Sequence, residues 1–187
     1  VTVTFSPEQG LNIRRQSIKW KIIGAFIKAA MGGNFDFIGG NIVIENISAG
    51  YGSVQVLHGV NLEVNSGETV VLLGTNGNGK STLLKSVMGL ITPTQGNISL
   101  EINGRKTDLI GKDTEEIVAM GVSMVPEGRR LFSLLSVEEN LTLGAYRDAA
   151  RQKIGENLEF CFTTFPRLKE RRKQQAGSLS GGEQQMV

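Results

Sequence analysis

The sequence predicts an α/β protein. An antiparallel β section leads into a strand–loop–helix unit, and a mostly helical part follows. Three observations carry this. From Asn41 to Val64 the residues alternate apolar and polar and are rich in β-branched side chains. Glu68 to Gly74 (ETVVLLG) holds a continuous apolar run, the pattern of a fully buried parallel strand. A segment of helical period, Ser81 to Leu90, then follows across a glycine-rich loop.

Residues 1–40 stand apart as an extension. From Ile18 to Met31, apolar residues at 18, 22, 23, 26, 27 and 30 alternate with Lys19, Lys21 and Lys28. That spacing predicts a basic amphipathic helix. It is too short for a membrane span of roughly 20 residues. It reads either as a helix lying in a membrane interface or as one resting on the main domain. Gly32 to Gly40 reads as a linker. Residues 41–187 form the main domain, beginning with strands over Asn41–Gly52 and Val54–Val64. Thr92 to Lys106 predicts a turn, a strand and a second turn at Asn103-Gly104. Asp113 and Glu116 fit a capping box for a helix through Met120, and Ser136 and Glu139 fit another for a helix through about Tyr146. Between them, Gly121 to Val125 predicts a second apolar strand, stopped by Pro126. Ala149 to Gln175 is polar and helical, broken near Pro166, and its basic run Arg167 to Lys173 reads as a solvated helix face.

The chain has 187 residues, of which 40% are hydrophobic, enough for a real core. A single cysteine, Cys161, excludes an intrachain disulfide framework. Its 24 glycines follow no period, which excludes a collagen-like chain. The net charge of +2 is uneven. Residues 1–31 carry Arg14, Arg15, Lys19, Lys21 and Lys28 against one acid, Glu8, and the remainder is net acidic. A nucleic-acid partner is therefore not expected. Val1 and the stop at Val187 in mid-pattern suggest a fragment, incomplete at its C-terminus.

Gly74-Thr75-Asn76-Gly77-Asn78-Gly79-Lys80-Ser81 matches the phosphate-binding pattern G-x-x-x-x-G-K-[ST]. Glycines permit backbone angles closed to other residues and let amide N–H groups turn inward as a nest for phosphate oxygens. Lys80 would reach the β- and γ-phosphates, and Ser81 would place its hydroxyl on Mg²⁺. The helix that opens here, with Thr82 in its first turn, aims its positive end at the same oxygens. A plain glycine-rich turn is the alternative. The buried strand before the loop and the periodic helix after it argue against that. The loop implies a nucleoside triphosphate but not the task.

Leu179 to Met186 (LSGGEQQM) supplies a second glycine-rich helix start, with Ser180 as the cap. Together the two motifs resemble the ATP-binding cassette (ABC) ATPases, over about Asn41 to Val187. The resemblance implies a phosphate-loop NTPase core with an antiparallel β subdomain and a helical subdomain. It implies two such subunits paired head to tail, each ATP lying between one phosphate loop and the other subunit's signature. Ser180, Gly181 and Gly182 would then touch the γ-phosphate of the partner's ATP, and Glu183 would face the same nucleotide. Tyr51 would stack on adenine. Glu127 stands where the family usually has a glutamine near Mg²⁺ and the attacking water, so Lys80 and Glu127 are the catalytic positions present. His58 reads as a surface residue. The family's later Asp-Glu strand and loop histidine are absent, so the chain is expected to be inactive alone.

The stretches VPEGRRLF, LSVEENL and LSGGEQQM resemble an ATPase subunit of branched-chain amino acid importers. That implies ATP and Mg²⁺ as cofactors and integral membrane permease subunits as partners, which Arg129 and Arg130 could face. A solute-binding protein would act indirectly, and the location would be peripheral, on the cytoplasmic face of the cell membrane. Three alternatives stay open: a non-transport ABC ATPase, a urea or amide importer subunit, and a remnant that binds nucleotide without turnover.

Overall fold

Alternation in the first half of the chain becomes two sheets. The computed structural model describes residues 2–6, 10–14, 40–68, 70–125, 128 and 130–187. β1 (Thr2–Ser6) and β2 (Gly10–Arg14) form an antiparallel pair, and β1 runs parallel to β5 (Val71–Gly74), with Phe5 opposite Gly74. The second sheet is antiparallel, in the order β4 (Val54–Val64), β3 (Gly40–Tyr51), β6 (Gln95–Ile102), β7 (Arg105–Asp108). Asn103 and Gly104 turn β6 into β7 with φ of 53° and 74°. Both angles are in the left-handed region that a two-residue Asn-Gly hairpin uses.

One face of the antiparallel sheet is the core. Ile44, Ile47, Leu57, Ile98 and Leu100 are buried there against Leu83, Val87 and Met88, with Leu109 and Ile117 closing the cluster. Burying each such side chain stabilises by about 1.5–3 kcal/mol. Leu83 and Val87 come from α1 (Lys80–Val87), whose buried residues also include Thr82 and Ser86. Ile117 comes from α2 (Thr114–Ala119), where Glu116 accepts the Asp113 backbone N–H at 3.1 Å.

Contacts divide the described residues into two units, the second running from Val125 to Val187. It holds α3 (Val137–Gly144), α4 (Asp148–Arg151), α5 (Ile154–Thr164), α6 (Pro166–Glu170), a 3-10 turn (Ala176–Ser178) and α7 (Gly181–Met186). Val137, Phe162, Leu168 and Leu179 are its core. Pro166 opens α6, where a missing N–H does no harm. Gln174 O accepts the Val137 N–H at 3.0 Å, and Ser133 O accepts the Gly177 N–H at 2.9 Å. The chain before the signature thus lies along the start of α3.

Two expectations change. Gly121 to Val125 is not a strand: Val122 and Met124 pack partly on the core, but no described strand runs beside them, and Val125 is 71% exposed. An apolar run becomes a strand only where a neighbour supplies ladder hydrogen bonds. The basic run 167–173 is a solvated face, as expected, and it adds ion pairs. Arg167 and Arg171 pair with Glu183, Lys169 with Glu159, and Arg172 with Glu138. Strands at 2–6 and 10–14 appear where none is predicted, while the predicted helix at 18–31 lies outside the described residues. No described helix is long and apolar enough to cross a membrane.

Candidate functional site

β5 delivers the chain into the glycine loop, and α1 takes it out. Gly74 ends the strand, Thr75 to Asn78 turn, and Gly79 is the N-cap of α1. Gly77 and Gly79 have φ of 89° and 79°. At Gly79 a Cβ would also stand 2.6 Å from Leu57 Cδ2 and 3.2 Å from Val56 Cγ1, so glycine is required twice over. At Gly77 nothing lies within 4 Å, and only the backbone angle calls for glycine. No side chain caps α1, and its first turn carries no acid. Acids are favoured at such a position. Their absence keeps the positive helix end for an outside anion.

Lys80 folds back over the loop. Its ammonium donates to Gly74 O at 2.8 Å and Thr75 O at 2.6 Å. An ammonium has three donors, and two of them hold the cation at the loop. Ser81 follows in the same first turn. Thr82 is 4% exposed on the core side of α1.

Tyr51 ends β3 beside the same helix. The Lys85 ammonium lies 3.5 Å from its hydroxyl and 5.7 Å from its ring centre. The phenol is held below its ordinary range first by a hydrogen bond with the Thr82 side chain; burial opposes this, and Lys85 adds to the lowering. The ring stays 50% exposed. An aromatic face and the glycine-rich loop are thus brought to one helix. Glu127 lies outside the described residues. His58 is exposed on β4. Sequence reasoning missed Lys85, although it lies five residues after Lys80 on a helix already predicted.

The second motif sits in the second unit. Ser180 caps α7: its Oγ accepts the Glu183 N–H at 3.3 Å, and the Glu183 carboxylate accepts the Ser180 N–H at 2.9 Å. Ser180, Gly181 and Gly182 are exposed. A Cβ on Gly182 would meet nothing within 4 Å, so no packing within the described chain demands glycine there. Glu183 is engaged by its own chain. Its carboxyl lies below the ordinary range first through the Ser180 backbone N–H and then the Ser180 side chain, with Arg171 and Arg167 adding to this against burial.

Comparison with known proteins places these features among relatives. The ABC transporter family model matches residues 57–187. The high-affinity branched-chain amino acid transport ATP-binding protein of Pseudomonas aeruginosa is 44% identical over 146 residues, covering 76% of this chain and 59% of that protein. The probable branched-chain amino acid transport ATP-binding protein of Archaeoglobus fulgidus is 34% identical, covering 75% and 58%. The glutamate/aspartate import ATP-binding protein of Escherichia coli is 38% identical, covering 78% and 60%. A nucleotide-free ATP-binding cassette from an ABC transporter superposes with a TM-score of 0.63 at 26% identity, covering 78% of this chain and 61% of that one. A dimeric bacterial ABC transporter cassette gives 0.60 at 27% identity, covering 78% and 66%. The chain spans about three fifths of the length of the curated relatives it matches.

Proposed function

This chain belongs to the family of ABC transporter ATP-binding proteins, and from that premise we propose that it is the nucleotide-binding part of an importer subunit for branched-chain amino acids. One observation carries the reading: an uncapped helix start whose two left-handed glycines and folded-back Lys80 make a cationic cradle for phosphate. The branched-chain class is favoured by the 44% identity to one such relative, above the 38% of the glutamate/aspartate relative, although a second branched-chain relative is 34% identical.

In this reading the amides of Gly77, Gly79 and Lys80 face the β-phosphate of ATP, and the Lys80 ammonium bridges to the γ-phosphate, while the Asn78 N–H closes the turn onto Thr75 O. Gly74, Thr75 and Asn76 shape the approach, and Thr82 anchors the helix. Tyr51 stacks on the base. Mg²⁺ in such sites is held by one or two protein groups, phosphate oxygens and water. Among the described residues no three metal-binding side chains converge. The Ser81 hydroxyl in the first turn of α1 fits such a sparse set, with Glu127 as the second group. The ion would neutralise charge developing between the β- and γ-phosphates. Ser180, Gly181 and Gly182 serve the ATP of a second subunit, so ATP draws two subunits together. That closure moves the membrane permease subunits, and hydrolysis by the full-length protein reopens them.

Uptake of labelled leucine, glutamate and ribose by cells carrying Lys80→Ala tests this. Loss of leucine uptake alone supports the proposal. Loss of glutamate or ribose uptake instead keeps an importer and overturns the solute. Normal uptake of all three overturns an importer of these solutes.

A further inference from the structure

Arg167 and Arg171 stand one helical turn apart, and each directs its Nε to the same oxygen of Glu183, at 3.2 and 3.4 Å. The other oxygen accepts the Ser180 backbone N–H at 2.9 Å. Both carboxylate oxygens are therefore occupied from within the chain, and the Glu183 side chain is only 12% exposed. Gln184 ties the same turn from the other side, donating to Gly177 O at 3.2 Å and Leu179 O at 3.0 Å. Leu179 is buried in the second core. Ser180, Gly181 and Gly182 remain exposed beyond these ties.

We propose that Glu183 is a positioning residue: held by Arg167 and Arg171, it fixes the direction of the Ser180–Gly182 backbone and does not itself touch nucleotide. The proposal rests on the reading of that backbone as the contact to a second subunit's ATP. A carboxylate turned toward a triphosphate would repel it. Two guanidinium groups that draw it inward remove that repulsion while pinning the turn. The same pairs give Arg167 of α6 and Arg171 at its end a partner on the solvated face.

The test uses the full-length protein. Glu183→Gln keeps an acceptor for the Ser180 N–H but loses the charge that binds the arginines. Arg167→Gln with Arg171→Gln removes the other half. Each is expected to lower kcat for ATP hydrolysis on the order of tenfold to a hundredfold, the range for misplaced groups, with little change in KM. All three changes together are expected to cost no more than either set alone. Normal turnover in the arginine variant with reduced turnover in Glu183→Gln would mean that Glu183 meets nucleotide directly, and overturns the proposal. Additive losses, or losses that vanish when the assay is run well below each variant's melting temperature, overturn it as well. Gly181→Asp reports on the underlying reading separately. If ATP still pairs two subunits in that variant, the signature reading fails, whatever the clamp variants do.

Discussion

Replacing Gly79 and Gly77 by alanine separates backbone strain from steric conflict within one loop. Both residues hold a left-handed φ, 79° and 89°. An L-residue in that region costs about 1–2 kcal/mol, and both variants carry this cost. Only Gly79→Ala adds a collision, with its Cβ 2.6 Å from Leu57 Cδ2 and 3.2 Å from Val56 Cγ1. Leu57 is 1% exposed, so its methyl has no solvent to move into. Overpacking of this kind costs about 1–3 kcal/mol. In a chain of this size 1 kcal/mol shifts Tm by about 2–4 °C. Gly79→Ala should therefore melt roughly 2–12 °C below Gly77→Ala. Calorimetry on the two nucleotide-free variants measures the gap. Equal melting points, or a lower one for Gly77→Ala, would refute the packing of the loop on β4.

Other perturbations give distinct outcomes. Tyr51→Ala should weaken ATP binding by roughly tenfold or more, the loss of a base–aromatic stack, while Tyr51→Phe stays close to the parent; equal losses by calorimetric titration would point to the hydroxyl instead. Ser136→Ala removes the cap of α3, whose Oγ accepts the Glu139 N–H at 3.2 Å, and should cost about 1 kcal/mol in denaturant unfolding; no change would show that the box adds nothing. Acid should destabilise the second unit through three carboxyls. Glu139 is held low first by Ser136, Glu138 first by Arg172, and Glu183 first by Ser180. A carboxyl whose folded value lies below its unfolded value of about 4.3 adds stability above that pH and loses it as pH falls through the folded value. Melting should thus hold steady down to about pH 5 and then drop, less steeply in the variant Glu138→Gln/Glu139→Gln/Glu183→Gln; an equal drop would assign the acid loss elsewhere.

What the sequence disclosed and what it withheld divide by distance along the chain. The glycine loop was legible because its pattern lies within eight consecutive residues, and the glycines at 77 and 79 take left-handed angles. The caps at Asp113 and Ser136 were legible for the same reason, each needing only a glutamate three residues on. Gly121 to Val125 misled because strand formation depends on a neighbour that local composition does not name. Arg172 reaches Glu138 and Lys85 reaches Tyr51 across 34 positions each. No period announces such partners. Glu183 shows the limit most clearly: the motif suggests a residue facing nucleotide, while its carboxylate closes the Ser180 cap and pairs with Arg167 of α6 and Arg171 at the end of α6.

Calorimetric titration of the full-length protein with ATP and with AMP, in parent and Lys80→Ala forms, addresses the cradle itself. Grip on the triphosphate predicts that the parent binds ATP far more tightly than AMP, and that Lys80→Ala brings ATP down to the level of AMP. Equal affinity of the parent for both nucleotides, or an ATP affinity indifferent to Lys80, would contradict it.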